Sequence, residues 1–177
     1  MNPNKNLWEK CVAFHGHECG GLTIGFKAAL YAGNRLGLTF SADEELVCIA
    51  ENDSCSIDAI QVLLRCSVGK GNLLFHLTGK QAFSFYRRDT GKSLRLVLKP
   101  RPRNMTRAEI FSYYQNLTPE EMFEVKEATL PLPSHAAVFA SVPCENCGED
   151  TAEKYIRLEN GRKLCPDCAV KYNRFNV

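Results

Sequence analysis

Two cysteine pairs, Cys144-x2-Cys147 and Cys165-x2-Cys168, stand seventeen residues apart near the C-terminus and constrain this chain more than any other feature. Two thiolates on one tight turn bind a metal ion, and a second such turn completes a tetrahedron, which is the four-cysteine zinc pattern. The turn chemistry agrees: Gly148 follows the first pair and Pro166 lies inside the second. Between them, Tyr155–Leu158 and Lys163-Leu164 flank Asn160-Gly161, the signature of a hairpin. Ala169–Phe175 reads as a short terminal helix. A segment this short buries too little apolar surface to fold unaided, so zinc binding supplies much of its folding energy. Protein fills all four positions, which makes the zinc structural. The expected unit is a zinc-ribbon or treble-clef type finger over residues 143–177.

The chain carries 9 cysteines in 177 residues. An odd count suits a fully paired disulfide set badly, and metal binding or thiol chemistry in a reducing compartment is the better reading. Residues 1–10 are polar and lack the apolar stretch of a signal peptide. No apolar run reaches the ~18 residues that span a bilayer. The expectation is a cytoplasmic protein without a membrane partner. Net charge is only +2, and residues 144–177 carry 6 basic and 6 acidic side chains, so the finger offers no basic face for nucleic acid.

Upstream of the finger the pattern is α+β, a mixed helix and antiparallel-sheet core over residues 1–142. The spacing predicts a first helix over Gly21–Leu36, a strand at Leu46–Ala50 and a helix at Ser56–Cys66. Asn72–Leu77 and Gln81–Arg87 read as a hairpin across Thr78-Gly79-Lys80, followed by a strand at Leu94–Leu98. Lys99-Pro100-Arg101-Pro102-Arg103 then forms an extended connection. Capping boxes at Thr106–Glu109 and Thr118–Glu121 start two more helices, and Ala136–Val142 is a last strand. Gly21, Gly25, Ala29 and Gly33 recur every fourth residue, a small-residue stripe suited to close packing in the core or at an interface.

Three patches carry the remaining chemistry. Phe14-His15-Gly16-His17-Glu18-Cys19-Gly20-Gly21 sets two imidazoles and a thiol within five residues, the ligands that divalent transition metals favour. Asp53-Ser54-Cys55-Ser56-Ile57-Asp58 places Cys55 at a helix N-terminus, where the dipole favours a thiolate, and Asp58 on the same face. Cys66-Ser67-Val68-Gly69-Lys70-Gly71-Asn72 brings flexibility and a lysine that could face an anion. Packing is the competing explanation: His15, His17 and Cys19 as core or capping residues and Cys55 as a small buried hydrophobe. Cys11, Cys48 and Cys66 read as core thiols, and His76 and His135 as isolated histidines.

Together these patches resemble the FmdE family, whose name derives from formylmethanofuran dehydrogenase. The matching residues are Phe14-His15-Gly16-His17, Cys19, Gly21 and Gly25, then Cys55, Asp58-Ala59-Ile60-Gln61, Cys66 and Gly69-Lys70-Gly71-Asn72. Gly20 departs from the family, which usually has proline there. The resemblance implies an α+β domain with a zinc finger, a homodimer, and a second divalent-metal or reactive-thiol site around His17 and Cys55, with His15 and Cys19 nearby. In that site His17 and Cys55 would hold an ion with an open position, and Asp58 would orient or neutralise it. The family name links such proteins to molybdenum or tungsten formylmethanofuran dehydrogenase. This chain has no room for a pterin-binding catalytic domain and no ferredoxin-type cysteine run, so the expected role is an accessory one in that complex or in related one-carbon or redox metabolism. Two alternatives stand beside it: a regulatory finger docking on nucleic acid or a protein partner, and a metal-delivery protein.

Overall fold

A computed structural model describes residues 3–38 and 40–170. The chain divides into two compact units with the boundary between Ala136 and Ala137, where the sequence placed the division at residue 142. The first unit opens with helix α1, Pro3–His15, which no sequence pattern had announced. Leu7, Trp8, Cys11 and Val12 share its inner face, and Trp8 packs edge-on against Phe26 at 5.2 Å. Helix α2, Gly20–Leu36, buries most of its length and ends at Gly37, whose φ of 69° closes the cap. Arg87 Nη1 donates to Leu36 O and Gly37 O beyond that end, placing a cation where the helix dipole is negative.

Strand β1, Leu46–Ala50, is buried along its whole length, and helix α3, Ser56–Leu64, follows it. The next strands of the sheet are β2 (Leu73–Phe75), β3 (Ala82–Arg87) and β4 (Ser93–Leu98). After them come helix α4, Arg107–Asn116, the one-turn helix α5, Pro119–Met122, and strand β5, Phe123–Lys126. Both capping boxes form as expected. α5 stops after one turn because the chain enters β5, which pairs with β4 through Leu98 and Phe123.

The sheet order is β2-β1-β3-β4-β5. This corrects the expected hairpin. β2 runs parallel to β1, with Cys48 opposite Leu73, and β3 runs antiparallel to β1 on its other side, with Cys48 opposite Phe85. An all-apolar strand buried on both faces needs partners at both edges, and β1 takes the two segments apart to obtain them. The intervening turn is tied to the end of β1 instead, through Thr78 N and Gly79 N donating to Glu51 O. Leu46, Cys48, Ala50, Phe83, Phe85, Leu94 and Leu96 alternate onto one sheet face and form the core with α2 and α3.

The glycine stripe of α2 is spent inside the chain. A Cβ at Gly25 would lie 1.9 Å from Ser56 O, and one at Gly21 would lie 2.9 Å from Cys55 Cβ. The start of α3 fills this part of the stripe, which is therefore not free to serve as an interface between copies of the chain.

The second unit holds two short hairpins, β6 (Ser141–Pro143) with β7 (Asp150–Ala152), and β8 (Arg157–Glu159) with β9 (Arg162–Leu164). Asn160 and Gly161 turn the second hairpin with φ values of 49° and 79°. Residues 136–140, expected to extend β6, are irregular. The expected terminal helix lies largely outside the described residues.

Substituting Gly25→Ala should cost about 2–3 kcal/mol in urea unfolding, since a fixed backbone carbonyl must move. Gly69→Ala, with nothing within 4 Å, should stay within about 0.5 kcal/mol of wild type.

Candidate metal centres

In the C-terminal unit, the sulfurs of Cys144, Cys147, Cys165 and Cys168 all lie within 4.8 Å of one another. Four thiolates about 2.3 Å from one zinc ion require that closeness. The backbone prepares them for it. The N–H groups of Cys147, Cys165 and Asn146 point at the Cys144 sulfur and pull its thiol down to about 6, and Cys165 N donates to that sulfur at 3.3 Å. Apart from these cysteines the buried cluster of this unit contains only Leu164 and Ala169 among the described residues. The zinc supplies the core that the side chains do not.

The N-terminal cluster is built where α1 hands over to α2. α1 ends at His15; Gly16, at a φ of 92°, donates its N–H to Val12 O and reverses the chain. The His17 ring thereby returns over that of His15, with centroids 4.5 Å apart. Cys19 is the N-cap of α2, and its sulfur accepts the Leu22 N–H at 3.3 Å. Donor atoms of His15, His17 and Cys19 all lie within 4.8 Å of one another.

His15 is the centre of this arrangement. Its Nδ1 lies 2.7 Å from Asp58 Oδ2, and its Nε2 lies 3.7 Å from Cys19 Sγ. A carboxylate only accepts hydrogen bonds, so Nδ1 carries the hydrogen, and in the neutral ring Nε2 then presents its lone pair toward Cys19. A carboxylate behind a histidine in this way fixes the ring and raises its basicity as a metal ligand. Gln61, one turn further along α3, donates to the other Asp58 oxygen at 3.4 Å.

Cys55 adjoins the cluster without joining the mutually close trio. It is the N-cap of α3, yet its side chain makes no cap hydrogen bond and its backbone is already helical. Burial raises its pKa, followed by the charge of Cys19 and a hydrogen bond shared with that thiol. The expected thiolate at this helix start is thus not what the environment favours; the helix N-terminus that does receive a sulfur is that of α2, through Cys19. Asp58 holds His15, and neither His17 nor Cys55. A cleft of about 590 Å³ opens over His17, Cys19, Gly21 and Cys55, with Arg107 on its far wall. Arg107 is a wall residue that sequence reasoning missed. Its only signal was its place just after the Thr106 cap.

Elsewhere the sequence candidates are structural. Cys11, Cys48 and Cys66 are fully buried, and burial pushes the first up to about 11 and the third to about 12. In the third patch Asn72 Nδ2 donates to Leu46 O, and Lys70 Nζ donates to Ser41 O at 3.4 Å, so this lysine is occupied by the fold. His76 and His135 are exposed and belong to neither cluster.

Asp58→Ala should lower the metal affinity of the N-terminal cluster about 10–100-fold while the finger keeps its zinc, as read by competition with a chromophoric chelator. Equal loss from both sites, or from neither, would contradict the role given to Asp58.

Residues 14–143 match the family model described as "FmdE, Molybdenum formylmethanofuran dehydrogenase operon", and residues 139–174 match the prokaryotic dksA/traR C4-type zinc finger. A protein of Archaeoglobus fulgidus described as a probable S-adenosyl-L-methionine-binding protein is 27% identical over 206 aligned positions, covering 97% of this chain. The chain spans 55% of that relative's length. The crystal structure of a tungsten formylmethanofuran dehydrogenase FmdE-like protein from Syntrophus aciditrophicus is 25% identical, with a TM-score of 0.67 over 93% of this chain and 91% of that one. With the family model spanning most of the first unit and the C4 finger most of the second, the chain belongs to the FmdE family and carries a C-terminal zinc finger.

Proposed function

We propose that this FmdE-family protein holds a second divalent transition-metal ion at His15, His17 and Cys19, with Cys55 beside the open side of the centre. The observation that carries this reading is the locking of His15 Nδ1 by Asp58 at 2.7 Å, with Nε2 aimed into a cluster of three donors. The bonds of His15 to Asp58 and Cys19 also brace α1 against α3 and α2, and what favours a metal over a brace alone is the third donor, His17, within the same 4.8 Å. A bound ion would supply Lewis acidity there. The chain's own residues orient the ligands, disfavour the thiolate of Cys55 by burial, and leave a small-molecule cleft in front. The reading extends to an accessory role, as a homodimer, beside molybdenum or tungsten formylmethanofuran dehydrogenase or a related one-carbon or redox enzyme, and this part rests on the family.

Metal delivery is the second reading, and one observation favours it. His17 is exposed while His15 and Cys19 are half-buried, so one ligand can release the ion to solvent or to a partner. Fast exchange of the N-terminal ion beside a slowly exchanging finger zinc would favour delivery over a resident centre. Docking of the finger on nucleic acid is the weakest reading, because its charges balance at 6 and 6.

Elemental analysis of the full chain purified without chelator tests the proposal. The expected result is two ions per chain, falling to one in a His15→Ala, Cys19→Ser protein, with sedimentation giving twice the chain mass of 19.8 kDa. A single ion per wild-type chain, unchanged in the double variant, would contradict the second centre. A chain mass of 19.8 kDa in sedimentation would remove the homodimer.

A further inference from the structure

The Lys99–Arg103 strap, a solvated linker by composition, borders the first turn of α2. Lys99 and Arg101, with Gly20, Gly21, Ile110 and Tyr114, line a cleft of about 420 Å³. Gly20, Gly21 and Ile110 also line the cleft over His17, Cys19 and Cys55, so the two spaces adjoin along bare glycine backbone. Three cations, Lys99, Arg101 and Arg107, line this double cleft, and of these Lys99 already donates its Nζ to Glu120 O at 2.8 Å, which leaves the two arginines as the groups free to meet an anion. None of them forms an ion pair among the described residues. The one carboxylate in the walls, among the described residues, is Glu18, and Trp8 Nε1 already donates to it at 2.8 Å.

Arg101 is exposed, but its backbone and one guanidinium nitrogen are constrained locally. Prolines 100 and 102 fix the backbone on either side. Arg101 Nη1 donates to Pro102 O at 3.0 Å, and the guanidinium lies near enough to the hydroxyl of Tyr114, a residue only 4% exposed, for its charge to act on it. Immobilising a long side chain costs entropy that a merely solvated arginine does not lose. At the same place the first-turn N–H groups of α2 are in part unspent: Leu22 N serves Cys19 Sγ and Thr23 N serves Cys19 O, while those of Gly20 and Gly21 have no intrahelical partner.

We propose that the double cleft binds a small organic anion, a carboxylate or a phosphate monoester, whose charged head pairs with Arg101 and whose body extends over Gly20 and Gly21 toward Cys19 and His17. Arg101 is a binding residue in this scheme, and Tyr114 positions it. The volumes suit a metabolite and not a polymer. This deepens the reading of the metal centre, because it names what that centre would meet.

The 177-residue chain, labelled with ¹⁵N and titrated separately with succinate and with inorganic phosphate, tests the proposal. At least one probe should shift the amides of Gly20, Gly21 and residues 99–101 in a saturable way, and the stronger of the two identifies the head group. Arg101→Gln should weaken that binding about tenfold, and Tyr114→Phe, which keeps the ring, should weaken it by less. Arg103→Gln, a neighbouring exposed charge outside the walls, should leave it unchanged. An equal loss in Arg101→Gln and Arg103→Gln would mean diffuse charge and overturn the site. So would silence of these amides toward both probes, or a response of the strap to an oligonucleotide alone. Metal content measured in the same samples separates the two readings: a saturable anion response in a chain lacking the N-terminal ion sinks only the metal centre, and full metal content without any response sinks only the anion site.

Discussion

Helix α2 reaches the start of α3 only because residues 21 and 25 have no Cβ, and that approach sets most of what the N-terminal unit can do. With Gly25 against Ser56 O and Gly21 against Cys55, the N-caps of two helices come together, and each of those caps is a cysteine. The same contact carries Asp58, one turn into α3, to the end of α1, where His15 waits at 2.7 Å. A methyl group at position 25 would separate the helices and with them the carboxylate from its imidazole. The site is therefore a consequence of packing. Its side chains stand at the ends of α1, α2 and α3 and in the short turn between α1 and α2.

The two sulfur clusters of the chain follow opposite logic. The finger gathers four thiols around a point with almost no side-chain core, so the ion takes the place of a hydrophobic centre and leaves no coordination position free. The N-terminal cluster sits on a unit with a side-chain core of its own, built from residues such as Phe83, Phe85, Leu22 and Ile60. Its donors cap α2 and tie α1 to α3, and they also border a cleft. That grouping of mixed donors beside a cleft is why the proposed functional site is this cluster and not the closed finger.

Much of this was legible in the sequence, and the failures have physical causes. The finger could be read because metal geometry fixes the spacing of its ligands. β1 and α2 were legible because their apolar positions are dense, and the capping boxes because two side chains must meet over three residues. α1 went unseen because its inner face, Leu7, Trp8, Cys11 and Val12, is diluted by asparagines and lysines. The strand partners of β1 were misread because hairpin spacing speaks only for neighbours in sequence, whereas the parallel pairing with β2 is set by the need to fill both edges. His15 was placed at the margin of its own site for a similar reason. Its carboxylate partner is 43 residues away, and no local pattern shows which of two histidines that partner will take.

Cadmium-113 NMR of the fully loaded chain tests most directly whether Asp58 and His15 hold a metal ion. Cadmium replaces zinc in thiolate sites, and its resonance moves strongly with the number of sulfur ligands. Two signals are expected, one in the range of four thiolates for the finger and one well upfield for mixed imidazole and thiolate ligands, with the second lost in His15→Ala. A single four-thiolate signal, identical in wild type and His15→Ala, would contradict the account and return His15, Cys19 and Asp58 to a hydrogen-bonded brace between α1, α2 and α3.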